Sequence, residues 1–196
     1  LLVLEMPVVV AFVADKSTLL QDSWLNRTAA KMAPTSHASK IIHCELFFPS
    51  VVARNIVGLT GASYGIHFKG RVFKNPFKQF SKSQWTFKEI QTNHAQDMKM
   101  REWLDSQIGK KFNYLGYASY LGPCAMSGRV PGLAKRYYCS QLTMEALNIG
   151  EVFGYKNGNA IQMPVNVHPH RVFDIIQDIS TATIRPIRDC RLNLTF

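Results

Sequence analysis

Tyr137-Tyr138-Cys139-Ser140-Gln141-Leu142-Thr143-Met144-Glu145-Ala146-Leu147 carries an extended aromatic segment into a helix, with a cysteine at the junction. A helix start presents unpaired N–H groups and the positive end of the helix dipole, and both stabilise a thiolate, the nucleophilic form of cysteine. Cys139 is therefore the first candidate for chemistry. The competing reading is a buried structural cysteine, since free cysteine packs as a small hydrophobe.

The chain is 196 residues long, with 46% hydrophobic and 18% charged residues, a globular balance that excludes a disordered or collagen-like chain. We expect a single domain over residues 1–196, large enough to bury a core without staples. With 23 Lys+Arg against 13 Asp+Glu the net charge is +10. That charge favours anionic partners or surfaces but says nothing about fold. Between Arg71 and Lys88, lysines alternate with Phe73, Phe77, Phe80, Trp85 and Phe87. Such a pattern fits a nucleic-acid surface, but it fits core aromatics flanked by lysines better.

The four cysteines, Cys44, Cys124, Cys139 and Cys190, show no Cys-x-x-Cys spacing, and His168-Pro169-His170 has no nearby companion for a zinc site. Reduced thiols in an intracellular, reducing compartment are expected. Residues 1–13 are apolar but lack a basic leader, are broken by Glu5 and Pro7, and are too short to span a bilayer. They read as a buried first strand. Beginning at Leu1, the chain reads as a piece of a longer polypeptide.

Val8 to Val13 form a β-branched and aromatic run suited to a strand buried on both faces. A helix is predicted over residues 19–30, then a loop over 33–39. Strands are predicted over 41–48, 63–68, 70–73 and 84–90, as an antiparallel meander. The spacing of Ala95, Met98, Trp103, Leu104 and Ile108 predicts a helix closed by Gly109. A Gly/Pro-rich loop over 121–132 leads to the Cys139 helix, which ends near 148–150. The last third reads as strand over 163–167, a short helix over 172–179 and strand over 183–187.

A cysteine nucleophile needs an imidazole to hold its proton and a third polar group to orient that imidazole. His43 stands in Ile41-Ile42-His43-Cys44-Glu45-Leu46-Phe47-Phe48, an otherwise apolar strand, and residues two apart share a strand face. His43 and Glu45 thus point the same way, an arrangement that is costly when buried unless the groups have partners or a task. A satisfied core His–carboxylate pair is the plainer alternative. His67, on a candidate neighbouring strand, is a second choice for the orienting group. His37, His94, His168 and His170 read as loop or helix-start residues. Gly109-Lys110-Lys111-Phe112-Asn113-Tyr114 could set an aromatic wall and the Tyr114 hydroxyl beside the thiol, or could simply be core.

The order of strand, helix, His-x-Glu strand, Gly-x-x-aromatic-x-Tyr and Tyr-Cys-Ser-x-Leu opening a helix resembles the circularly permuted NlpC/P60 papain-like superfamily, most closely its YiiX-like proteins and their poxvirus relatives. The likeness runs from Pro7 to about Pro164. It implies an α+β fold with an antiparallel sheet or partial barrel packed against helices, one of them bearing the nucleophile. It also implies Cys139 as nucleophile and His43 as base, because the permutation puts the histidine first, with Glu45 or His67 as the third member. Members of the superfamily act as peptidases or amidases, or handle lipid esters and acyl groups.

The expected activity is that of a cysteine hydrolase or acyltransferase on an amide, ester or thioester carbonyl of a peptide, acyl or lipid substrate. Backbone N–H groups at the helix start would serve as oxyanion donors, with Tyr114, Tyr138 and Ser140 as pocket candidates. No metal or organic cofactor is called for. The rival reading is a catalytically silent papain-like module, such as one within a viral protein, that binds through its basic aromatic surface. Nucleic-acid binding ranks last.

Overall fold

A computed structural model describes residues 6–14, 41–50, 59–67, 70–80, 84–114 and 136–183. Strand β1 (Met6–Ala14) lies at the heart of a five-stranded sheet. Its Val8 to Val13 are each at most 1% exposed, as a β-branched run flanked on both faces requires. On one side β1 pairs with β2 (Ile41–Pro49), setting Val9 opposite Phe47 and Phe12 opposite Cys44. On the other side it pairs with β5 (Trp85–Thr92). Strands β3 (Leu59–Gly65) and β4 (Phe73–Phe80) extend the sheet beyond β2, giving the order β4-β3-β2-β1-β5, antiparallel throughout.

The expected meander thus holds for β2 to β4, after which the chain crosses to the far edge to lay down β5. The edges curl toward each other. The Phe80 ring on β4 packs 4.7 Å from Trp85 and 5.7 Å from Phe87 on β5. Pro76 is tolerated in β4 because an edge strand leaves one row of backbone groups outside the ladder. Gly61 is required by close approach, since a Cβ there would lie 2.2 Å from the Phe48 carbonyl oxygen.

Helix α1 (His94–Gln107) begins as the sequence predicts. Asn93 accepts from the Gln96 backbone N–H, while the Gln96 side chain accepts from the Asn93 backbone, a reciprocal capping box. Past its C-terminal end Gly109 takes φ +84°, the left-handed conformation suited to glycine. The short strands β6 (Lys111–Phe112) and β7 (Arg136–Tyr137) pair in parallel and deliver the chain to α2 (Cys139–Ile149). A small hairpin, β8 (Tyr155–Lys156) and β9 (Asn159–Ala160), turns through Asn157 and Gly158, both at positive φ. Helix α3 (Pro169–Thr183) opens on a proline, the residue whose missing N–H costs nothing in a first turn.

One sheet face, formed by Val8, Val10, Phe12, Cys44, Leu46 and Phe48, packs against Met100 and Leu104 of α1, Leu142 and Leu147 of α2, and Val172 and Ile176 of α3. The other face gathers Val9, Ala11, Phe47 and Phe80 with the partly buried Trp85 and Phe87. Asp105 accepts from the Tyr64 hydroxyl at 2.8 Å and from the Lys74 ammonium at 2.9 Å, tying β3 and β4 to α1.

Three sequence expectations are corrected. Residues 163–167 do not form a strand. Pro164 interrupts them, and the Asn148 side chain takes the backbone groups of Met163, donating to its carbonyl at 2.8 Å and accepting from its N–H at 2.9 Å. The short helix over 172–179 is the longer α3, which absorbs Thr183. Of the predicted strands over 63–68 and 70–73, only Ser63 to Gly65 lie in β3 and only Phe73 in β4; the strands themselves are centred earlier and later in the chain. The expected helix over 19–30, the loops over 33–39 and 121–132, and residues 184–187 lie outside the described residues. Among the described residues no helix is long and apolar enough to cross a membrane. The described residues form a mixed α+β arrangement of one five-stranded antiparallel sheet, two two-stranded pairs and three helices.

Candidate functional site

Cys139 is the first residue of α2, preceded by Tyr138 in extended geometry at φ −115° and ψ 168°, and no side chain caps this helix start. The first-turn N–H groups therefore concentrate positive potential on the sulfur. The thiol is 7% exposed.

His43 and Glu45 share one face of β2, as alternation demands, and His43 Nε2 lies 3.4 Å from Glu45 Oε1. Cys139 is the other group that acts on the His43 imidazole. Glu45 is fully buried and held from several directions. Ser63 Oγ donates to its Oε2 at 3.0 Å, and the Lys78 ammonium stands 3.9 Å from Oε1. Ser63 pairs across the strands with Phe47 and so reaches Glu45 as a diagonal neighbour on the same face. Gly65 leaves the room Glu45 needs, because a Cβ there would sit 2.9 Å from Glu45 Cγ.

Alternation sends Cys44 to the opposite face, into the helix-side core, where its sulfur lies 3.6 Å from Thr143 Oγ1 on α2. Among the described residues, β3 pairs with β2 only from Leu46 onward, so the stretch Ile41 to Glu45 has no β3 rung beside it. The Cys139 sulfur interacts with His43 and with the thiol and backbone N–H of Cys44.

The electrostatics follow from these contacts. Hydrogen bonding from the Cys44 thiol, then from His43 with its charge, holds the Cys139 thiol well below its ordinary 9.0 despite burial. Burial alone would lower the His43 imidazole, but the hydrogen bond and charge of Cys139, followed by those of Glu45, push it up to about 10. Both shifts favour the thiolate–imidazolium pair over the neutral thiol and imidazole. Cys44 is driven the other way: burial, then the neighbouring Cys139, push its thiol well above the usual range. Burial would raise Glu45, but the hydrogen bond and charge of His43, with Lys78 and His67, hold it below the usual carboxylate value.

His67 stacks on His43 at 5.2 Å and on Phe73 at 4.8 Å, and burial with the His43 charge lowers its imidazole. Its ligand atom lies with those of His43 and Glu45 within 4.8 Å of one another, so these three could hold a metal ion. Tyr138 is buried, with its hydroxyl 3.5 Å from Asn166 Oδ1. The Ser140 hydroxyl donates to the Val167 carbonyl at 2.5 Å, which leaves its backbone, rather than its side chain, as the oxyanion candidate. Tyr114 is 40% exposed with its ring 5.2 Å from Phe112.

Sequence reasoning missed Cys44, Ser63 and Lys78. It also passed over His168, which stacks on His170 at 5.6 Å and feels the Cys139 charge. Burial and His170 hold His168 down to about 4, so it is neutral beside the thiolate. The row of aromatics between Arg71 and Lys88 is largely internal. Phe80 is 3% exposed, Phe73, Trp85 and Phe87 are partly buried, and Phe77, at 87%, stands out alone. Compared with family models, curated proteins and solved structures, the chain has no match.

Proposed function

We propose that the protein is a cysteine hydrolase or acyltransferase of the permuted papain-like kind, with Cys139 as nucleophile, His43 as acid–base partner and Glu45 as the orienting group. The observation that carries this reading is one buried chain of contacts, Cys139 to His43 to Glu45, with the sulfur at an uncapped helix start. The Cys139 thiolate attacks a carbonyl carbon to give a tetrahedral oxyanion, which first-turn N–H groups of α2 are placed to stabilise. The oxyanion collapses, and the His43 imidazolium gives its proton to the leaving amine, alcohol or thiol. Neutral His43 then takes a proton from water or an acceptor alcohol, which attacks the acyl-enzyme and restores the thiolate. Glu45, fixed by Ser63 and Lys78, keeps Nε2 occupied and the imidazolium favoured.

Glu45 is preferred to His67 as the third member because it is a buried carboxylate on His43 Nε2, whereas His67 is exposed and meets the ring by stacking. No metal or cofactor enters this scheme. Peptide-amide, acyl-ester and thioester substrates, offered in parallel to the wild type and to Cys139→Ala, test it. Turnover of at least one class is expected from the wild type only. Equal turnover by Cys139→Ala would remove Cys139 from the chemistry.

A further inference from the structure

Cys44 has no place in the acyl-transfer scheme, yet it sits directly against the nucleophile. Its sulfur lies 3.6 Å from Thr143 Oγ1. Thr143 is one helical turn beyond Cys139, so positions 139 and 143 share the face of α2 that rests on Cys44. The Cys44 thiol and backbone N–H both bond to the Cys139 sulfur. Both cysteines are free, and they differ in access: Cys139 is 7% exposed and Cys44 is fully buried. A small oxidant therefore reaches Cys139 first.

We propose that Cys44 is the resolving thiol of Cys139, so that a peroxide closes the two into a reversible disulfide that silences the nucleophile and shields it from further oxidation. The proposal goes beyond the acyl-transfer reading and stands or falls on the thiol pair itself.

The chemistry balances in two steps. The Cys139 thiolate attacks one peroxide oxygen and the O–O bond breaks. The departing hydroxide takes the proton of the His43 imidazolium and leaves as water, giving a sulfenic acid beside neutral imidazole. The Cys44 sulfur then attacks the sulfenic sulfur. The S–O bond breaks, the S–S bond forms, and the Cys44 proton leaves with the hydroxide as a second water. The disulfide would hold the two sulfurs at about 2.05 Å. A dithiol reductant returns both thiols, and its own pair becomes the disulfide. Without a neighbouring thiol the sulfenic acid proceeds to sulfinic and sulfonic acids, which ordinary reductants do not reverse.

The test treats the native protein with hydrogen peroxide, blocks remaining thiols by alkylation under denaturing conditions, and maps cross-linked peptides by mass spectrometry without reduction. The expected product is a Cys44–Cys139 peptide pair that disappears after dithiothreitol. A Cys139 partnered by Cys124 or Cys190, or oxidised to sulfinic acid while Cys44 remains alkylatable, would overturn the proposal. Cys44→Ser supplies a second arm, in which Cys139 should pass to the sulfinic acid at a peroxide dose from which the wild type recovers fully. Equal recovery by Cys44→Ser would equally overturn it. Since the cross-link is read without substrate, its absence leaves the acyl-transfer reading to its own assay, and its presence says nothing in that reading's favour.

Discussion

His43→Gln keeps a hydrogen-bonding side chain beside Cys139 but removes the group that carries the proton. Turnover is expected to fall by about 10²- to 10⁴-fold, the usual worth of a positioned acid–base group, and the Cys139 thiol should titrate at higher pH. The wild-type activity profile should rise at a pH well below the ordinary thiol value, as the thiolate forms. It should fall as pH passes through about 10, where His43 loses its proton. A single rising limb near the ordinary thiol value of about 8.5 would contradict the ion pair. Half of this residue-level geometry was legible in the sequence. Period-two alternation placed His43 and Glu45 on one face, and the aromatic-to-helix junction marked Cys139. Cys44 was not legible, because the same alternation sends it to the far face. Its approach to Cys139 comes from the packing of α2 on β2, a tertiary contact that no local pattern announces.

At the scale of elements, the strand that carries His43 and Glu45 depends on two glycines in β3. Gly61→Ala would drive a methyl group into the Phe48 carbonyl, where backbone cannot yield cheaply. A loss of stability of about 1–3 kcal/mol is expected from such overpacking, seen as an earlier midpoint in urea unfolding. Gly65→Ala meets a side chain instead, Glu45 Cγ at 2.9 Å, and should displace the carboxylate from His43. Activity should then drop more than stability, and Glu45→Gln should reproduce much of that drop. Asn93→Ala, far from the site, removes the cap of α1 and should cost about 1 kcal/mol with turnover per folded molecule unchanged. Helix α1 was readable as an element because its closing glycine is a local signal, but of the predicted stripe only Leu104 is fully buried, while Ala95, Met98 and Ile108 are exposed and Asp97, Met100 and Gln107 face inward. Residues 163–167 misled because the β-branched Val165 and Val167 favour a strand, while a side chain from α2 holds the adjoining Met163 backbone instead.

Across the whole molecule, the sheet closes toward a barrel because β5 returns to the β1 edge and its aromatics meet Phe80 of β4. That crossing is a long-range choice between two open edges, and no local pattern in the chain announces it. The site also leaves a mark on global stability. His43 is raised on folding from 6.5 to about 10, so its contribution is complete below 6.5 and lost as pH climbs through about 10. Cys139 is lowered on folding, so its contribution is complete above its ordinary 9.0 and lost as pH falls through its depressed value. Above about 9 the thiol is ionised in both states and unfolding releases the His43 proton, so denaturation midpoints should decline as pH climbs from there through about 10. His43→Gln should remove the alkaline decline.

The claim beneath all of this is that Cys139 exists as a thiolate paired with the His43 imidazolium. Alkylation by iodoacetamide, followed cysteine by cysteine by mass spectrometry as pH is varied, measures it directly. The expected result is Cys139 reacting with an apparent pKa far below about 8.5, while Cys44 responds only at much higher pH. His43→Gln should move the Cys139 transition upward. A Cys139 that titrates at or above the ordinary thiol value, unmoved by His43→Gln, would contradict the assignment of this thiol as the nucleophile.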